Sequence, residues 1–549
     1  MDNYYDLGVY RRKVSTSSAE AQMWFDRGLL WCFGYNHDES IACFQRALKA
    51  DPNCAMAHWG VGYAAGCNYN KPWEAFDGED ATRSLAMAYD AAQAALALVD
   101  ITTPAEAALI RALPARYPSR TPAEDMCAWN DDFATAMRGV YTTFPKDAEI
   151  ATVFAEAMMN RTPWALWDLK SGQPAEGADT LEIIKVLEKA MACCNGMQHP
   201  GLLHLYIHAL EMSPTPEKAL KAADALRGLV PDAGHLQHMP THIDVLCGHY
   251  ERVVSSNNNA IIADRKFLNR EGPLNFYSLY RCHDYHFKIY GAMFLGQFKP
   301  AIETAEEMIA SLPDELLRVQ SPPMADWLEG FISMKQHIYI RFGKWQEIID
   351  QALPEDRALY CVTTAMMLYA KAVAYAASGD AINGEKYAGL FEEAFDAVPD
   401  SRYIFNNTCR DILEVAREMM LGEVEYRKGN FETAFNHLRT SVELDDTLPY
   451  DEPWGWMQPT RHALGALLLE QGHVEESAAV YRADLGLDDT LSRACQHPDN
   501  VWSLMGYHNC LLKLGRTEEA NIICQRLTLA KARTDTAVKS SCFCKLGSF

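Results

Sequence analysis

The stretch WFDRGLLWCFGYNHDESIACFQRALKADP, running from Trp24 to Pro52, decides how the rest of the chain is read. Counted from residue 21, Trp24, Gly28, Trp31, Ser40, Phe44, Ala47 and Pro52 fall at positions 4, 8, 11, 20, 24, 27 and 32. That spacing matches a helix–turn–helix unit of about 34 residues, with small residues where two helices meet. A glycine at Gly28 lets the antiparallel helices approach, the aromatic residues fill the groove, and Pro52 stops the second helix. Gly62 restarts the pattern in the next unit.

Further along, a glycine followed by an aromatic or polar residue recurs between amphipathic halves, at Gly248, Gly296, Gly343, Gly379, Gly429, Gly472 and Gly515. The separations of 48, 47, 36, 50, 43 and 43 residues imply helices often longer than the minimal pair. After each turn the apolar spacing is helical, as in Phe431, Ala434, Phe435 and Leu438. Strand signatures are nearly absent. The fold class expected is therefore all-α, a tetratricopeptide-repeat-like (TPR-like) α-α superhelix or solenoid. It should run continuously over residues 15–530, after an extension at 1–14 and before a tail at 531–549. Residues 70–80, 112–125, Ser171–Asp179 and Asp445–Trp456 read as loops, and the tail past Arg533 as ragged.

For a chain of 549 residues, length alone suggests three or four domains, but solenoids grow by adding repeats instead of closing new cores. With 49% apolar residues, wholesale disorder is excluded. The 73 acidic residues against 50 basic ones give a formal charge of −23, which argues against nucleic acid or an anionic membrane as main partner. Met1–Lys13 has no apolar core, so no signal peptide is expected, and no apolar run is long enough to span a membrane. Apart from Cys193-Cys194 and Cys542-Phe543-Cys544, the 16 cysteines are scattered. Reduced thiols in a cytoplasmic protein are the expectation, with a metal- or redox-active tail as the alternative for the last pair.

Nine of the 17 histidines lie within residues 199–286. His204 and His208 are four apart on one helical face, His238 and His242 straddle Pro240 at the start of another helix, and His283 and His286 lie on the next pair. Neutral imidazoles paired on helices chelate Zn, Cu and Fe. His204, His208, His238, His242 and His283 are therefore the candidate metal ligands, with Glu211 and Glu156 as candidate catalytic carboxylates. The competing reading makes each histidine a hydrogen-bonded core residue. No spacing identifies the metal. No phosphate loop, dinucleotide fingerprint or nucleophile elbow occurs, so nucleotide and flavin cofactors are not expected. Met158–Trp167, which includes Trp164, reads as core or pocket wall, as do Trp454, Trp456 and Arg461.

The blocks from His199 to Glu211 (HPGLLHLYIHALE) and from Ala233 to Ile243 (AGHLQHMPTHI) resemble those of large TPR-like proteins of bacteria and filamentous fungi. So do Phe33–Glu39 and Glu452-Pro453-Trp454, in matching order over nearly the whole chain. The resemblance implies the fold and leaves the biochemistry undefined, although fungal members can sit beside natural-product biosynthesis genes. The histidines matching its blocks are His37, His204, His208, His238 and His242, with His283 less secure. The cysteine-ended tail departs from the bacterial pattern.

Three functions remain in play. The leading one is a metal-dependent oxygenase or hydrolase acting on a small organic molecule, with Trp164, Tyr206, His37, Trp454 and Arg461 shaping the pocket. The second is a scaffold that binds a protein partner in its concave groove, where Asn257-Asn258-Asn259 would supply amide contacts. The third is a metal-free isomerase or cyclase with histidines as proton carriers.

Overall fold

The computed structural model describes residues 4–193 and 195–544, which leaves residues 1–3, Cys194 and the last five residues of the tail outside the description. It divides the chain into two compact units, one of Met1–Ile243 with Asn259–Gly272, the other of Asp244–Asn258 with Pro273–Phe549. The first contains helices α1 (Ala19–Phe33), α2 (His37–Ala50), α3 (Ala55–Ala65), α4 (Gly78–Ala97), α5 (Pro104–Ala112) and α6 (Ala128–Thr143). It continues with α7 (Ala148–Met159), α8 (Thr180–Met191), α9 (Pro200–Glu211), α10 (Leu220–Leu226) and α11 (Gly234–His238). Helices α12 (Pro240–Leu246) and α13 (Tyr250–Glu271) contribute residues to both units.

The second unit contains α14 (Ser278–Phe294), α15 (Phe298–Ala310), α16 (Asp314–Leu317), α17 (Met324–Ile332), α18 (Met334–Arg341), α19 (Trp345–Asp350) and α20 (Cys361–Ala377). Then follow α21 (Ala381–Asp396), α22 (Cys409–Arg427), α23 (Phe431–Asp446), α24 (Thr460–Glu470), α25 (Val474–Asp484), α26 (Val501–Lys513) and α27 (Thr517–Lys531). Both units are all-α and TPR-like, built from consecutive helix pairs such as α1 with α2, α3 with α4, α20 with α21, and α22 with α23. Among the described residues the only strands are two-residue hairpins, Trp167–Asp168 with Gln173–Pro174 and Tyr403–Ile404 with Asn407–Thr408. No described helix is long and apolar enough to cross a membrane.

The seven turn glycines of the repeat reading all stand between helices with positive φ, from 64° at Gly343 to 90° at Gly379, a region that other residues reach only with strain. The pairs themselves close by a repeated contact. A Cβ at Gly28 of α1 would meet the Phe44 ring of α2 at 2.7 Å, and one at Gly60 of α3 would meet the same ring at 2.6 Å. The ring therefore lies in a slot between two helices that only glycine leaves open. The second unit repeats the device with Tyr481 of α25 between Gly465 of α24 and Gly506 of α26, where a Cβ would come within 2.5 and 2.2 Å. In both, a serine hydroxyl from the second helix, Ser40 or Ser477, donates to the glycine's carbonyl at 2.7 Å.

The described part of the extension, residues 4–14, is docked within the first unit. Arg12 donates to Asp147 at 2.8 Å and Glu149 at 3.0 Å, Tyr10 donates to Glu149, and His199 meets Glu149 at 3.1 Å. Burial alone would raise the Glu149 carboxyl, but His199, Arg12 and Tyr10 together hold it down at about 2.

The tail differs from the ragged end expected of it. Asp535 accepts from the backbone N–H groups of Phe298 and Lys299 at 2.7 and 2.9 Å and so caps α15, and Val538, Ser541 and Cys544 are buried. Cys542 and Cys544 are joined in a disulfide where reduced thiols were expected, while the other described cysteines are free. The predicted loop at 70–80 is shorter than expected, because Asp77 caps α4 and starts it at Gly78. The one at Asp445 starts later, because α23 runs to Asp446.

Two outcomes follow for stability. Gly60→Ala forces the trapped Phe44 ring to move and should cost about 1–3 kcal/mol in urea unfolding; a variant as stable as the parent would show that the slot has slack. Glu149 binds its proton near 4.5 when unfolded but only near 2 when folded, so its contribution is present above pH 4.5 and lost as pH falls toward 2. Glu149→Gln should cost about 3 kcal/mol at pH 7 and flatten the acid limb of a stability-against-pH curve across that window.

Candidate metal centre

All groups of this site belong to the first unit. On α9, His204, His208 and Glu211 follow one another at helical spacing, so one face carries two imidazoles and a carboxylate. Pro200 opens that helix and His199 caps it, accepting from the Leu202 N–H at 3.2 Å. Gly201 lets α9 approach α1: a Cβ there would stand 2.7 Å from the Phe33 ring. That proximity brings the Phe33 carbonyl to 2.7 Å from His204 Nδ1. Helices α11 and α12 supply His235, His238 and His242, all fully buried.

The hydrogen bonds determine which nitrogen each ring presents. His204 Nδ1–H donates to a carbonyl, so its Nε2 carries the lone pair. His208 Nδ1 donates to Glu211 Oε1 at 2.9 Å and His242 Nδ1 to Glu211 Oε2 at 2.7 Å. One buried carboxylate thus orients two imidazoles, and both turn a bare Nε2 away from it. His208 Nε2 has no hydrogen-bond partner among the described residues. His204 Nε2 lies 3.2 Å from His235 Nε2, and His242 Nε2 lies 2.7 Å from His238 Nε2. Burial holds His208 neutral, down at about 3, and pushes His204 well below its ordinary range, helped by His208 itself.

Ligand atoms of His204, His208 and His235 all lie within 4.8 Å of one another, as do those of His208, Glu211 and His242. Around an ion with bonds of about 2.1 Å the separations are about 3–4 Å, so the first triad needs only a small contraction. A carboxylate or carbonyl on Nδ1 behind a ligating Nε2 is the usual way a protein orients metal-binding histidines. His204, His208 and His235 can therefore hold a Zn, Cu or Fe ion, with Glu211 and the Phe33 carbonyl behind two of them.

Aromatic rings enclose the triad. Tyr35, at φ 55°, places its ring 4.6 Å from His204, 6.1 Å from His208 and 5.4 Å from His235. Tyr69 and Trp164 stack on each other and abut His208 at 5.1 and 5.6 Å. Beside His204 a cavity of about 20 Å³ is lined by Tyr35, His37, Tyr63, Thr152 and Glu156 among others. That holds about one water or ion and no organic molecule. Burial pushes Glu156 up to about 8, so it faces this cavity as a neutral acid at pH 7.

The structure thus brings together His204, His208, His238, His242 and Glu211, with Glu156, His37 and Trp164 around them. His235, Tyr35 and Tyr69 were missed as site residues, although His235 sits three before His238 in a block singled out for its histidines. Tyr206 is turned to α8, where its hydroxyl donates to Glu188 at 2.9 Å. His283, Trp454 and Arg461 belong to the second unit. There His283 packs on Phe287 and Phe405, Trp454 donates to Asp445 at 3.0 Å, and Arg461 pairs with Asp446.

No family model and no curated protein matches the chain. Solved structures do match it at low similarity. The APC/C hetero-tetramer Cut9–Hcn1 is 12% identical, over 93% of this chain and 87% of that chain, with a TM-score of 0.30. The TPR domain of P58(IPK) is 15% identical over 82% and 99%, TM-score 0.21, and yeast Tom70 13% identical over 93% and 95%, TM-score 0.25. Similarity at this level carries nothing about activity or partners.

Glu211→Gln should disturb the centre even without any ion. An amide cannot accept from both Nδ1–H groups, so one of His208 and His242 must lose its bond, at a cost of about 1–3 kcal/mol. Imidazole ¹⁵N spectra should lose one of the two Nδ1–H tautomers, and an unaltered pair would overturn the tautomer assignment.

Proposed function

We propose that the protein is a TPR-type scaffold that binds an extended protein segment along its helix pairs. The observation that carries this reading is the segment the second unit already holds. Residues 533–544 run across α15, α18, α22 and α24, and backbone carbonyls of this segment accept from basic side chains. Arg341 donates to the Ser541 carbonyl at 2.8 Å, and Arg427 to that of Cys544. Recognition through main-chain groups, with side chains in notches between helices, is how repeat proteins take a peptide. A peptide of residues 535–544 should bind a chain ending at Arg533 with micromolar affinity in a fluorescence titration. Arg341→Ala should weaken it at least tenfold; no binding at millimolar peptide would refute the reading.

A second reading has its own support in the orphaned Nε2 of buried His208 and the acceptor-held rings beside it. In it the first unit carries a metal ion on His204, His208 and His235, and the ion supplies a Lewis acid in a closed, aromatic-walled site. Glu211 holds His208 in the ligating tautomer, Tyr35 and Trp164 exclude water, and Glu156 keeps a proton facing the cavity beside His204. The small volume favours an ion that braces the unit over one that turns over an organic substrate. Untagged protein should contain about one equivalent of metal, and His204→Ala/His208→Ala should lose it. Glu211→Gln should lower affinity about 10- to 100-fold. Sub-stoichiometric metal, unchanged in the double variant, would leave the histidines as core residues.

A further inference from the structure

The C-terminal segment has a second property besides being held. Its only described cysteines, Cys542 and Cys544, are joined to each other across a single residue, with Cα atoms 5.3 Å apart, so the segment turns as it docks. Phe543, at the apex, seats against Gly343, where a Cβ would meet it at 2.8 Å, and lies 6.2 Å from the Trp502 ring. Just before the turn, Ser541 is fully buried. Its hydroxyl donates to the His462 carbonyl at 2.7 Å and meets the Tyr481 hydroxyl at 2.5 Å.

Beneath the turn lies a cavity of about 20 Å³ walled by Arg341, Met419, Trp456, Thr460, His462 and Cys542 itself. Arg341 also donates to His462 Nδ1 at 2.9 Å, and His462 Nε2 donates to Asp484 at 3.0 Å. The tail therefore covers a buried cation that is anchored from behind and turned toward a main-chain carbonyl.

We propose that Cys542 and Cys544 form a redox latch, in which their disulfide holds the tail in this cleft as an internal ligand and a dithiol reductant releases it to admit a partner segment. This rests on the scaffold reading only for what enters the cleft. The chemistry is thiol–disulfide exchange. A thiolate of the reductant attacks the sulfur of Cys542, the half-exposed member, and expels Cys544 as a thiolate that takes up a proton. The reductant's second thiol then closes on the mixed disulfide and frees the Cys542 thiol. Two electrons pass from the dithiol, which ends as a disulfide, to the chain, which ends with two thiols.

The bridge acts on the undocked tail. It confines three residues to the turn they need in the cleft, so the released segment has less freedom to gain. Breaking so short a loop should raise the undocked population about tenfold.

The test is amide hydrogen exchange on the full chain, oxidised, reduced with dithiothreitol, and as Cys542→Ser/Cys544→Ser. Residues 538–544 should exchange about tenfold faster in the reduced and double-serine proteins, with exchange in α3 and α4 of the first unit unchanged. Equal rates in all three forms would overturn the latch. A fluorescent peptide of residues 535–544 with both cysteines replaced by serine, added to the same samples, separates the two ideas. Faster tail exchange without peptide binding leaves the latch standing and refutes the scaffold reading. Peptide binding with unchanged tail exchange does the reverse.

Discussion

The contact on which the repeats depend is the approach of a ring or branched side chain to a bare backbone. Phe44 fits because neither Gly28 nor Gly60 has a Cβ, and Tyr481 fits because neither Gly465 nor Gly506 has one. Leu438 lies against Gly422 in the same manner. In each case the bulky residue follows the glycine of the preceding helix (Gly28, Gly465 or Gly422) by sixteen positions, which is the distance from the middle of one helix, around the turn, to the facing point on the next. Axes brought this close let side chains of successive helices interdigitate, and dispersion between them then accumulates over the whole array. The serine hydroxyls on the glycine carbonyls add a directional bond where a helix carbonyl accepts a second donor.

The histidine centre depends on another such approach. Gly201 brings α9 against Phe33, and only then does a main-chain carbonyl reach His204. Glu211 does the corresponding work for His208 and His242. A carboxylate with no water around it is costly to bury, and here two N–H donors compensate it. The result is a set of buried rings in which His204 and His242 each turn a bare Nε2 toward a second imidazole, which can donate an Nε2–H to it or share an ion with it.

Much of the fold was legible because turns and helix contacts are local. The seven turn glycines and the Trp24–Pro52 pattern concern residues within one or two helices of each other, and the backbone follows them. The pairing of His204 with His208 was legible for the same reason. What could not be read was convergence. His235 entered the centre because α11 faces α9, a matter of tertiary packing that no spacing within 234–242 expresses. Tyr35 reaches three imidazoles only because its backbone adopts a left-handed conformation between α1 and α2. Tyr206, by contrast, shares a helix with the histidines but faces α8, since a helix presents several sides. The tail was misjudged because its anchors, α15 and α18, lie some two hundred residues upstream.

That long reach has a consequence for how the protein is made. Helix α15 emerges from the ribosome 237 residues ahead of the aspartate that caps it. At about 5–20 residues per second this interval is on the order of 10–50 seconds. The cleft over α18 and α24 is complete only once α24 ends at Glu470, and the chain must then extend 65 residues further before Asp535 can dock. The first unit has no comparable wait, since Tyr10 and Arg12 precede the Glu149 they bind. Vectorial synthesis thus completes the two units on different schedules, and nascent chains should be most exposed to misassociation just before the last dozen described residues appear.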